Sequence, residues 1–301
     1  MPSLDFMKLF VVSGLALGGV YALSGVGIVV LYRATGVLNL AFGAVGALGA
    51  FIAWHLVHET SFPDWAAYLV CIGFAAAVTL IYGLIFGPIL AARDPLVKAM
   101  GTLGLALILL GIMSMIWGER AGTALTLPTT TRTHTLGSFG VVNWTQIIGL
   151  SFGIAVTAGT AAFLRFTKLG TAMRALANDR EIAATLGVPV RRVETAAWLG
   201  SGVICGVAGL LLSNLLALDI LTLTFFFISA VAAALIARLR SLWVTLFAAL
   251  TIGLLEALLT PFYEGLQFLS DYRALTPFVL AIVALLWLGR RREVTVSPAA
   301  R

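Results

Sequence analysis

An all-α integral membrane protein is the fold class this sequence predicts: a bundle of eight or nine transmembrane helices, N-terminus outside and C-terminus cytoplasmic. Three observations lead there. Hydrophobic residues make up 60 % of the 301 positions and charged residues only 11 %, against roughly 45–50 % and about 25 % in soluble domains. The apolar residues fall into nine runs, most near the roughly 20 residues that cross a bilayer at 1.5 Å rise each. The basic residues between those runs gather on one side. A soluble fold needs a polar exterior that so few charges cannot supply, whereas the lipid bilayer accepts an apolar one.

The nine runs lie near 8–31, 37–57, 66–91, 97–118, 144–164, 193–217, 221–237, 241–262 and 274–289. The first starts after only Lys8 and continues past Tyr21. That is too long for a signal-peptide core, so it reads as a retained span. The second, from Gly36 to Trp54, is rich in Gly and Ala and reads either as a full span or as a short broken helix held inside the bundle. The runs near 221–237 and 274–289 are short, and one of them suits a re-entrant segment. Small residues recur at three- and four-residue spacing, as in Gly14 and Gly18, then Gly43, Gly46 and Ala50, which lets helix backbones approach closely in lipid. No internal repeat stands out.

Orientation follows from Lys and Arg. With the basic loop 165–192 placed in the cytoplasm, 15 of the 19 fall on the inner side. Only Lys8, Arg120, Arg132 and Arg273 fall outside. This reads the net charge of +6 as a topology signal rather than a nucleic-acid footprint. The whole chain, 1–301, is one transmembrane domain carrying an external Thr-rich loop at 119–143 and the cytoplasmic loop at 165–192. Cys71 and Cys205 sit inside apolar runs, which suits buried thiols, and with His55, His58 and His134 they form no zinc-ligand spacing. No metal and no cofactor is expected.

The cytoplasmic loop carries helix punctuation. Asn178 suits an N-cap, with Glu181 three residues on completing a capping-box-like pair. Asp179 and Glu181 suit the positive end of a helix dipole. Gly187 supplies a left-handed stop and Pro189 prevents continuation. The pattern predicts a short helix over about 179–186, preceded by another over about 169–177. So short a helix is unstable alone in water. The apolar surface of Ala183, Ala184 and Leu186 could dock on a partner protein, or the basic residues could hold the segment on lipid headgroups.

The segment Glu181-Ile-Ala-Ala-Thr-Leu-Gly187 resembles the cytoplasmic signature of ABC importer permeases, Glu-Ala-Ala, three residues, then Gly. Glu181, Ala183 and Gly187 match and Ile182 departs. The string Thr167 to Gly187 resembles the branched-chain amino acid permease family, in its shorter membrane subunit. So do Gly14-Leu-Ala-Leu-Gly18-Gly-Val-Tyr21, Gly36-Val-Leu-Asn39-Leu-Ala-Phe42-Gly43, Gly253-Leu-Leu-Glu256 and Tyr272-Arg273. Phe42 stands where that family usually has His. Ala237-Arg238-Leu-Arg240-Ser241 stands where it often has a Gly-rich turn, so the tight glycine turn is lost here.

The resemblance implies a permease subunit of an ATP-binding cassette importer for branched-chain or other small amino acids. Its implied partners are two cytoplasmic ATP-binding subunits, a second permease subunit, related or identical, and an external solute-binding protein. It makes the loop residues Arg174, Asn178, Asp179, Glu181, Ala183 and Gly187 candidates for coupling to the ATPase. The chain has no Gly-x-x-x-x-Gly-Lys-Ser/Thr loop, so by this reading it is not itself an enzyme and draws energy from a partner. Gly-x-Ser-x-Gly, His-Glu-x-x-His and paired catalytic carboxylates are also missing. The alternative is a secondary transporter or channel for small polar solutes such as amides, urea or organic acids. Such proteins carry ionisable groups in mid-membrane, and Glu256 is the clear acidic residue in a predicted span, a carboxylate that Arg273 could pair. Asn39, Asn214 and Glu256 are the candidate pathway or bundle polar residues. Asn39 could line the pathway or satisfy broken-helix backbone.

Overall fold

The computed structural model describes residues 4–60, 62–91, 93–118, 133–135, 141–216 and 218–264, with 279, 282, 283 and 286 singly. Among the described residues eleven helices run in chain order: α1 Leu4–Thr35, α2 Phe42–Glu59, α3 Asp64–Leu90, α4 Pro95–Trp117, α5 Trp144–Phe166, α6 Lys168–Asn178, α7 Arg180–Thr185, α8 Val190–Leu215, α9 Ile220–Phe225, α10 Phe227–Ile236 and α11 Leu242–Glu264. A small antiparallel hairpin, β1 (Thr133–Thr135) with β2 (Val141–Asn143), pairs His134 with Val142 just before α5. The rest of the Thr-rich loop at 119–143 lies outside the described residues.

Helix starts follow local chemistry. Pro95 opens α4, where its missing N–H costs nothing. Asn143 and Gln146 form a reciprocal capping box at α5, and Gln146 Nε2 also donates to Ser13 Oγ on α1 at 3.0 Å. Six helices among the described residues are long and apolar enough to cross a membrane: α1, α3, α4, α5, α8 and α11. α2 and the α9–α10 pair are shorter and largely buried. The run predicted at 221–237 is broken in two, with Phe226 between the pieces. The run at 274–289 falls, but for four residues, outside the described chain.

Packing holds an order that the sequence conceals. α1 lies against α11, and α8 lies against α3. α2 packs on α8 and α3, as α10 packs on α1 and α11. Two three-helix units, α1–α2–α3 and α8–α9/α10–α11, therefore repeat one arrangement, each with a short, buried middle element. Their directions are opposed. Gly14 meets Gly253 and Ala257 while Gly18 meets Ala249 and Leu250, so α1 and α11 are antiparallel. Gly202 meets Ala76 while Gly206 meets Ile72, so α8 and α3 are too. Gly27 faces Ile204, and Val20 and Leu215 both face Gly149, which sets α1 against α8 in the opposite sense.

Glycines set these distances, as the small-residue spacing predicts. A Cβ on Gly18 would stand 2.7 Å from Leu250 Cα, and one on Gly46 3.0 Å from the Cys205 carbonyl. A Cβ on Gly43 would overlap the Thr224 carbonyl of α9. In lipid, where apolar side chains gain little by leaving the solvent, such backbone contact is what holds helices together. The two cysteines are free and buried, each directing its sulfur at a backbone carbonyl: Cys205 at Phe42 (2.9 Å) and Cys71 at Gly206 (3.6 Å).

The turn at Ala237–Ser241 keeps glycine geometry without glycine. Arg238 and Leu239 both take positive φ, 54° and 55°. The Leu239 N–H reaches the Ala234 carbonyl and the Arg238 N–H the Leu235 carbonyl, each at 2.8 Å. That is the double closure that usually recruits Gly.

Candidate functional site

Two helix–turn–helix segments hold most of the candidate residues, with Asn214 and Glu256 apart from both. The first is the loop containing α6 and α7. Thr167 caps α6, its Oγ1 accepting from the Gly170 N–H at 2.9 Å. Gly170, Met173 and Leu176 face inward. Gly170 lies so close to α5 that a Cβ there would collide with the Phe163 carbonyl and Leu164. Arg174 is on the exposed face, its Nη2 3.5 Å from Thr171 Oγ1.

α7 starts one residue later than the capping-box reading places it. Asn178 is the last residue of α6. Asp179 takes the extended conformation (φ −155°, ψ 114°), and its carboxylate accepts the Ile182 N–H at 2.9 Å. The cap is therefore Asp179, and Glu181 is an exposed first-turn residue rather than half of a box with Asn178. The reason is local. The Asp179 N–H still bonds the Ala175 carbonyl, so Asn178 remains helical and cannot turn its side chain across the next helix start. The far end matches the expectation. Gly187 has φ +83°, the Val188 N–H reaches the Ala183 carbonyl and the Gly187 N–H the Ala184 carbonyl, a Schellman closure followed by Pro189.

Of the apolar surface read from sequence, Ala184 and Leu186 are exposed and Ala183 is not. Ala183 is buried against the bundle, while Ile182 and Leu186, 58 % and 79 % exposed, share the outward face one turn apart. Ile182, the departure from the signature, is thus half of the exposed pair. α7 is pinned from behind by Arg180, whose Nη1 stands 2.6 Å from Glu194 Oε1 on α8.

The second segment is the break between α1 and α2. Gly36 turns with φ +70°, and Val37, Asn39 and Ala41 are all buried. Irregular backbone there must be satisfied by side chains. Thr35 Oγ1 accepts the Val37 N–H at 3.1 Å and Asn39 Oδ1 the Ala41 N–H at 3.0 Å. Thr102 on α4 accepts the Leu40 N–H at 3.0 Å, and its hydroxyl lies 3.1 Å from the Leu38 carbonyl. Asn39 thus satisfies the broken backbone, one of the two roles open to it in the sequence. Asn214 donates to the Leu210 carbonyl of its own helix at 3.2 Å. Glu256 accepts from the Tyr21 hydroxyl at 2.6 Å, and the Tyr21 ring stacks on Phe226, centroids 4.5 Å apart. Arg273, the expected partner of Glu256, lies outside the described residues. The three polar candidates are thus held by three separate partners. A narrow apolar cleft between α2, α8 and α9, lined by Phe42, Gly43, Gly46, Gly209 and Phe227, contains none of them. Sequence reasoning missed Tyr21, Thr102, Arg180 and Glu194, which act through residues far off in the chain.

A profile of the family described as branched-chain amino acid transport system, permease component, matches residues 10–288. The chain belongs to that family. Among its relatives, the high-affinity branched-chain amino acid transport system permease protein LivH of Escherichia coli K12 is 24 % identical over 290 residues, 91 % of each chain. A probable branched-chain amino acid transport permease protein LivH of Methanocaldococcus jannaschii is 25 % identical over 256 residues, 84 % of this chain and 81 % of that one. The permease protein BraD of Pseudomonas aeruginosa is 23 % identical over 299 residues, 95 % of each. The permease is a multi-pass membrane protein, and the family is a transport component rather than an enzyme. The match extends across α1 to α11, so both the break between α1 and α2 and the α6–α7 loop lie within it.

Proposed function

We propose that the permease is the membrane-spanning subunit of an ATP-binding cassette importer for branched-chain or other small amino acids. Its single transmembrane domain makes eight or nine crossings, counting α2, α9–α10 and the 274–289 run, with the N-terminus outside and the C-terminus inside. α6 and α7 form the surface on which a cytoplasmic ATP-binding subunit docks, two such subunits serving a pair of permease subunits, while a solute-binding protein delivers the amino acid from outside. Arg174, Asp179, Glu181 and Gly187 shape that surface. Asn178 contributes as the end of α6, and Ala183 as the contact that seats α7.

The observation that carries this reading is α7 itself. A six-residue helix, too short to persist alone, is capped by Asp179, closed by Gly187 and seated through Ala183, yet turns Ile182 and Leu186 outward. An apolar pair held out of a polar loop is the expected form of a partner contact. Replacing Gly187 by Val, or Glu181 by Lys, is expected to leave the permease in the membrane and abolish both transport and the ATP hydrolysis that loaded binding protein stimulates. Normal stimulation in both variants would remove the coupling role. Orientation is checked separately: a cysteine placed at Thr171 should react only with a membrane-permeant thiol reagent, and reaction with an impermeant one in intact cells would reverse the topology.

A further inference from the structure

We propose that Arg180, Glu194, Lys98 and Thr102 are positioning residues that tie α7 mechanically to the buried break between α1 and α2. This inference rests on the docking role of α7 proposed above and names what lies behind the docked surface.

Close contacts at α7 and at the break are joined by the field around Lys98. Arg180, the first residue of α7, pairs with Glu194 in the second turn of α8 at 2.6 Å, with the carboxylate side chain only 16 % exposed. Lys98, in the first turn of α4, is 8 % exposed and has no ion-pair partner within 4 Å among the described residues, yet stands within electrostatic reach of both Arg180 and Glu194. Its ammonium lies against Gly36, 3.8 Å from where a Cβ would be. One turn further along α4, Thr102 meets the backbone of Leu38 and Leu40. The start of α4 thus stands within electrostatic reach of the charges behind α7 at one residue and meets the broken backbone with the next on the same face. α6 also packs on α1, with Arg33 in the last turn of α1 within electrostatic reach of Arg174.

The chemistry fits a transmitter better than a brace. A buried lysine attracted by one carboxylate and repelled by the arginine that carboxylate already holds sits in a balanced field. If a docked ATPase pulls α7 and lengthens the Arg180–Glu194 pair, Glu194 becomes free for Lys98. Lys98 then leaves Gly36, and α4 shifts the two carbonyl and amide groups that Thr102 holds. Irregular backbone inside a bundle is where such a shift costs least, because its hydrogen bonds already depend on side chains.

The test uses the permease purified with its ATPase subunits, reconstituted in liposomes with loaded binding protein. Three quantities are read: ATPase subunits retained, ATP hydrolysed, and amino acid accumulated per ATP. Arg180→Glu and Glu194→Arg are each expected to retain the ATPases and hydrolyse ATP while accumulation per ATP falls about tenfold, within the range of site-to-site coupling energies. The double exchange is expected to recover about fivefold over either single variant, the signature of a direct pair. Glu194→Gln, which keeps the shape and removes the charge, should behave as the single reversals do and serves if they misfold. Unchanged accumulation per ATP in Glu194→Gln, or a double exchange no better than its parents, would overturn the proposal. Ile182→Asp with Leu186→Asp separates the two readings: if those variants keep their ATPases, the docking role itself is wrong; if they lose them while Glu194→Gln stays coupled, only the relay is.

Discussion

The turn at residues 36–41 and the turn at 186–189 solve one problem in two environments. Each stops a helix with a glycine in the left-handed region, Gly36 at φ +70° and Gly187 at φ +83°, and each is followed at once by another helix. The exposed turn closes itself, since every partner of its backbone lies within five residues. The buried turn cannot. It lies partly inside the bundle, and Thr35, Asn39 and, from 62 residues away, Thr102 supply its hydrogen bonds. A self-closed turn can be moved as a unit without changing its internal bonds. A turn closed by a neighbouring helix changes whenever that helix moves. The first suits a docking surface and the second suits a responding element.

The difference can be broken at Thr102, where the largest effect is expected. Thr102→Val keeps the volume but leaves the half-buried Leu40 N–H without its acceptor, at about 1–3 kcal/mol for an unsatisfied group. Thermal unfolding in detergent should fall by several degrees, with transport lost. No such change would mean that the break is held by its own residues, like the exposed turn. Gly36→Ala and Gly187→Ala come next. Neither Cβ meets a close neighbour, so each should cost only the left-handed penalty of about 1–2 kcal/mol. Equal stability losses with unequal transport losses would separate the two turns functionally; equal losses of both would not. Asp179→Ala is milder, about 1 kcal/mol for a lost cap. It should lower ATPase retention without lowering the unfolding temperature of the bundle, because only α7 frays.

This contrast also explains what was legible. The membrane class, eight of the nine apolar runs and the α6–α7 punctuation are local patterns, and Gly187 and Pro189 announce their turn within a few residues. Asn178 was misplaced by one position because Asn and Asp adjacent to one another are both good caps, and only the backbone of Asp179 decides between them. Ile182 reads as a mismatch in sequence and stands exposed beside Leu186 in space. Thr102 and Glu194 carry no local signal at all: a threonine in an apolar run and a glutamate after two arginines are ordinary until the fold sets them against Leu40 and Arg180. The paired three-helix units escaped notice for the same reason, since packing by opposed directions leaves no repeated string.

A third turn sharpens the comparison with the smallest effect and a change of sign. At the end of α10 the closure seen at Gly187 is built again, but Arg238 occupies the glycine position and Leu239 follows it in the left-handed region. An L-residue there costs about 1–2 kcal/mol, partly offset because glycine loses more chain entropy on folding, roughly 0.5–1 kcal/mol. Arg238 is exposed, so Arg238→Gly gives up little contact and should stabilise the permease by about 0.5–1 kcal/mol, a net of those two figures. Leu239 is buried at 8 % exposure. Leu239→Gly relieves the same strain but forfeits a buried leucine, worth about 1.5–3 kcal/mol, and should destabilise. Unfolding temperatures of the two variants measured side by side should therefore move in opposite directions. If both rise, Leu239 contributes no packing and the turn is strained without compensation. If both fall, the arginine side chain itself stabilises the turn, and the glycine at 187 is retained for something other than relief of strain.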